Sequence, residues 1–88
     1  MKNGFEIEGK MLNIDLLLKI AKENGISPEN MSKKMGMGHM YLRNRKNENK
    51  HGIYRTAYTG IVELAMNAFN LPYDSLVIDI PSRRGVGD

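Results

Sequence analysis

Between Asn24 and Gly38 the chain reads NGISPENMSKKMGMG, and this stretch restricts the fold more than any other. Glycine at the C′ position takes the left-handed backbone that ends a helix. Serine followed by proline supplies an N-cap and a first helical residue that needs no donor. Asn24-Gly25 therefore closes one helix, Ser27-Pro28 opens the next at once, and Gly36-Met37-Gly38 ends that one after about two turns. The chain is written for short helices joined by tight turns.

The helix upstream is capped by Asn13, with Asp15 in its first turn and an apolar stripe of Ile14, Leu17, Leu18 and Ala21, widened by Leu16 and Ile20. In the second helix Met31 and Met35 share a face and Lys33 and Lys34 point away. A third helix is predicted from about His39 to Asn47, anchored by Leu42 with Met40 or Tyr41 adding a contact, and otherwise polar or cationic. Asn47 to Gly52 reads as loop. A fourth helix is predicted from Tyr54 to Phe69, with Tyr54, Ala57, Tyr58, Ile61, Leu64, Ala65 and Ala68 on its buried face and Asn70 as C′ residue, and a short fifth over Leu71–Val77. Phe5–Ile7 and Val77–Ile80 alternate like short strands, paired with each other or across a dimer, since neither stands alone in water. Ser82 to Asp88 reads as a flexible tail. The expected layout is an arm over residues 1–12, a helical domain over 13–77 and a terminal strand and tail over 78–88. The fold class expected is all-α, a five-helix domain with at most a small β appendage.

Eighty-eight residues allow one modest core and no catalytic cleft between domains. The absence of cysteine excludes disulfides, thiol catalysis and cysteine-bound zinc. No run of roughly 20 apolar residues exists for a membrane span and no signal-peptide core opens the chain, so a cytoplasmic protein is expected. His39 and His51 stand too far apart, with no acidic cluster between them, for a metal site. Gly36-Met37-Gly38 lacks the preceding strand of a phosphate loop and is a turn. The seven methionines read as core filler. No serine, histidine and acid are arranged for nucleophilic chemistry, so neither an enzyme, a small-molecule substrate nor a cofactor is expected. The net charge of +3 is concentrated: residues 27–60 carry seven lysines and arginines against two glutamates. Such a surplus suits a polyanion, because releasing condensed counterions drives that binding, although on charge alone an ordinary solvated face is the better account.

Two short helices joined by Gly-Met-Gly form a helix-turn-helix. Here the sequence resembles the lambda-repressor-like, Cro-type (XRE) helix-turn-helix family across residues 13–77. The carriers are Gly25-Ile26-Ser27; Met31-Ser32 in the family's leucine-alanine place; Met35-Gly36-Met37 in its leucine-glycine-valine place; Leu42 for its recognition-helix isoleucine; Asn47 for the asparagine ending that helix; and Ile61 to Val77 for its last two helices. The chain departs at Arg45, where the family has an apolar anchor, at Glu48 for glycine, at Pro28 for glutamine, and in a longer loop before the fourth helix.

The resemblance implies a third helix seated in the major groove of DNA. His39, Met40, Arg43 and Asn44 would meet base edges: asparagine suits adenine, arginine guanine, and methionine a thymine methyl. Lys33, Lys34, Lys46, Asn47, Lys50, His51 and Arg55 would hold phosphates. The expected function is a sequence-specific double-stranded DNA-binding regulator of a phage or other mobile element. It would act as a homodimer whose interface uses Phe5, Ile7, Ile78 and Ile80. The alternative is a protein-binding module on the same scaffold, of inhibitor or anti-repressor type.

Overall fold

The computed structural model describes residues 4–81. Five helices run in order: α1 (Ile14–Glu23), α2 (Pro28–Lys34), α3 (Tyr41–Lys50), α4 (Thr59–Phe69) and α5 (Tyr73–Leu76). Four short strands accompany them: β1 (Glu6–Ile7), β2 (Lys10–Leu12), β3 (Ala57–Tyr58) and β4 (Val77–Asp79). They form two antiparallel two-stranded sheets, β1 with β3 and β2 with β4. The expectation of an all-α fold is thereby corrected to a mixed α/β domain. The strands also do not pair as read: Phe5–Ile7 and Val77–Ile80 are not partners. Glu6 lies opposite Tyr58 and Ile7 opposite Ala57, while Met11 faces Ile78 and Leu12 faces Val77.

Three helices end by one device. At Gly25, φ +65°, the amide of Ile26 donates to Ala21 O at 2.8 Å; at Gly36, φ +78°, that of Met37 donates to Ser32 O at 3.0 Å. At Gly52, φ +79°, the amide of Ile53 donates to Glu48 O at 2.8 Å. Only glycine enters this left-handed region without a steric penalty, and each bond satisfies a carbonyl left free at the helix end. The third helix therefore runs to Lys50 rather than Asn47, closed off at Gly52, and the expected loop over Asn47–Gly52 is largely helix. It begins at Tyr41 rather than His39, after a turn closed by Tyr41 N–H to Gly38 O at 3.1 Å.

The fourth helix also begins later than expected. Tyr54, Thr56 and Tyr58 are residue types that prefer extended backbone, and with β1 available for pairing they stay out of the helix. Its inward face is Ile61, Val62 and Ala65, with Met66 and Phe69 packed beside them, while Leu64 is 47% exposed and Ala68 and Tyr58 face outward. Leu17, Met31, Met35, Leu42 and Leu76 are fully enclosed where the helices meet. Asn13 caps α1 by accepting from Leu16 N–H, and it clasps α5 through its own amide to Leu76 O at 2.7 Å. The tail read over Ser82–Asp88 lies outside the described residues. Among those described, no helix is long and apolar enough to cross a membrane.

Candidate functional site

The third helix has two unlike faces. Leu42 is buried and Tyr41, Arg45, Glu48 and Asn49 are half-buried against the body. Arg43, Asn44, Asn47 and Lys50 project into solvent, with Met40 and His51 exposed just beyond its two ends. The helix has one acid, Glu48, and that acid is on the inner side. The outward surface therefore carries cations and amides and no carboxylate of its own.

Glu48 is held inward by two arginines. Arg55 donates to both its oxygens, Nε at 2.8 Å and Nη2 at 2.9 Å. Arg45 Nε lies 2.9 Å from the same carboxylate at an angle that forms no hydrogen bond, so that contact is one of charge. The guanidinium carbon of Arg45 sits 5.3 Å from the centre of the Tyr41 ring. This explains how a charged residue stands where the resemblance has an apolar anchor: Arg45 lies along Tyr41 and shares Glu48 with Arg55. Burial pushes the Tyr41 phenol above its ordinary range. The hydrogen bonds of Arg55 chiefly, and the charge of Arg45, hold Glu48 down to about 2 from 4.5 against the opposing effect of desolvation. A carboxylate depressed in the folded state contributes stability that is whole above its unfolded pKa and lost as pH falls through the folded one. Wild-type thermal stability is therefore expected to decline from about pH 4.5 toward pH 2 more steeply than that of Glu48→Gln. Coincident pH profiles would show that the cluster holds no pH-linked stability.

The cations expected to touch DNA divide in two. Arg43 is paired with Glu29 of α2, Lys46 with Asp15 of α1 at 2.7 Å, and Arg55 with Glu48. Lys33, Lys34 and Lys50 are exposed with no acidic partner among the described residues. His51 is tied to the helix end through Nδ1, 2.9 Å from Asn47 O, so that nitrogen carries the proton. Arg43, Lys46, Asn47 and Lys50 line an open groove together with Leu18 and Pro28. His39 and Met40 stand exposed in the turn before α3.

No protein family, curated protein or solved structure matches the chain. The arrangement of the side chains is thus what bears on function. Among the described residues no three His, Asp or Glu side chains converge as a metal site would need. Of the four residues expected at a dimer interface, Phe5 is 79% exposed, whereas Ile7, Ile78 and Ile80 are half-buried. Ile7 and Ile78 sit in the ladders, and Ile80 N–H donates to Gly9 O at 3.0 Å. Glu29 and Asp15 were not legible as members of this surface, because each reaches its cation from another helix.

Proposed function

We propose that the chain is a sequence-specific, double-stranded DNA-binding regulator of the lambda-repressor-like kind, serving a phage or other mobile element, with the outward face of α3 in the major groove. The observation that carries the reading is the sorting of charge on α3: its one acid is locked inward while Arg43, Asn44, Asn47 and Lys50 face out. An α-helix fits the major groove, where arginine and asparagine match the edges of guanine and adenine. His39, Met40, Arg43 and Asn44 are the proposed base readers. Lys33, Lys34 and Lys50 are the phosphate contacts that stand ready, joined by Asn47 and His51. Lys46 and Arg55 join them if they leave their carboxylates. A two-fold dimer, doubling a footprint that is small for one helix, is proposed on that ground alone, since β1 and β4 are taken up within the chain.

Binding to random duplex DNA is expected to weaken as salt rises, with a slope of log affinity on log salt of about −3 for three lysines, steepening to roughly −4 to −5 if Lys46 and Arg55 also engage phosphates. Replacing Lys33, Lys34 and Lys50 together by alanine should flatten it. No binding at low salt removes the reading. Arg43 and Lys46 already donate to carboxylates, which favours as second reading an acidic protein surface on the same groove. Capture of an acidic partner by a chain that ignores DNA would decide for it.

A further inference from the structure

Arg43 and Glu29 meet edge to edge. Arg43 Nε donates to Glu29 Oε2, and Nη2 donates to Oε1 at 3.3 Å. A guanidinium is a planar set of five N–H donors, and this carboxylate occupies the fork formed by Nε and one hydrogen of Nη2. The second fork, one hydrogen from each terminal nitrogen, stays free, and no described residue accepts from Nη1. Two parallel donors on a fixed plane are the complement of the O6 and N7 acceptors that guanine alone presents together in the major groove. A long, half-exposed arginine is otherwise free to rotate, and free rotation would let it settle on any phosphate as readily as on a base. Glu29 is itself restrained, standing in the first turn of α2 next to Pro28, with its carboxyl held below the usual range chiefly by the hydrogen bond from Arg43.

Resting on the DNA reading above, we infer that Glu29 is a positioning residue which aims the free fork of Arg43, and that the base so read is guanine. Glu29 touches no base. It restricts Arg43 to one plane and, by its own negative charge, disfavours phosphate in the arginine's place. The pair is exposed enough that its loss should barely alter stability, so the variants below remain folded.

The test is equilibrium binding of the full chain to duplexes carrying each of the four base pairs at every position of a site selected from random DNA, with random duplex as control. Wild type should prefer guanine at one position by roughly tenfold or more, and Arg43→Ala should abolish that preference alone. Glu29→Gln should lower it several-fold while affinity for random duplex holds or rises, because a negative charge near phosphate has gone. Glu29→Gln combined with Arg43→Ala should match Arg43→Ala. If Arg43→Ala erases the guanine preference and Glu29→Gln keeps or strengthens it, the positioning role is overturned and the DNA reading stands. If wild type shows no base preference, the DNA reading fails at this helix and the inference with it; if Arg43→Ala leaves the guanine preference intact, the inference is overturned while the other base readers stand.

Discussion

Leu42→Ala is expected to lower the unfolding free energy by about 2–5 kcal/mol, and Leu64→Ala by less than about 1 kcal/mol. Leu42 is fully buried and is the one wholly apolar anchor of a helix whose other inward residues are Tyr41, Arg45, Glu48 and Asn49. Truncating it removes buried methyls and leaves a cavity in the enclosed core that it shares with Leu17, Met31 and Met35. Leu64, which periodicity alone assigned to the same core, is 47% exposed on the outer side of α4 near the Gly36 turn, and alanine is the better helix former there. Denaturant unfolding of both variants beside wild type gives the comparison. Losses of similar size would mean that α4 is rotated to bury Leu64.

Ser32→Ala should cost about 1–3 kcal/mol, more than an ordinary surface serine. Its side chain is completely buried, donates to Pro28 O at 2.8 Å and accepts from the Leu42 amide at 3.0 Å. Helix α3 has no cap of its own, because Met40 at the N-cap has no side-chain oxygen, and the Leu42 amide is among the donors a helix start leaves free. A hydroxyl from α2 thus caps α3 across the turn. Alanine, which the resemblance places here, would strand that amide away from water. Urea unfolding should show the loss, and amide exchange at Leu42 should accelerate. A change under about 0.5 kcal/mol with unaltered exchange would mean that water replaces the hydroxyl.

The features that a short window contains were legible. Asn13 and Ser27 cap their helices, Gly25 and Gly36 end theirs, and Asn70 takes the left-handed turn after α4 at φ 54°. Gly52 carries the same signal as Gly25, yet the asparagines before it resemble loop punctuation, so the sequence alone ends the helix at Asn47. The phase of α4 was not legible, because its sequence is apolar on nearly every side and two stripes fit it equally well. Strand partners were not legible either: pairing Met11 with Ile78 depends on the path of everything between them. At the site, the outward residues of α3 followed from helical periodicity and the placing of Leu42. Arg45 did not, since a charge is assigned to solvent unless its counter-ions are known, and Arg55 and Glu48 come together only when the chain is folded.

The two small ladders also tie both ends of the described chain into the core. Leu12 and Val77 belong to the same enclosed core as Leu17 and Leu42, and Met11 is buried beside them. The stretch from Gly4 onward is locked to the start of α4, where Phe5 N–H donates to Thr59 Oγ1 at 2.9 Å and the Thr59 amide returns a bond to Phe5 O at 2.9 Å. A side chain on Gly4 would collide with Thr59 Oγ1. A fragment trimmed to the helices, residues 13–77, would lack Met11 and Leu12, uncover Val77 and leave the amide of Thr59 without its acceptor. The smallest piece that keeps its own interior therefore runs from about Gly4 to Ile80, and α3 presents its outward groups while its inner residues Tyr41, Arg45 and Asn49 line a pocket with Met11 and Leu12 of the arm.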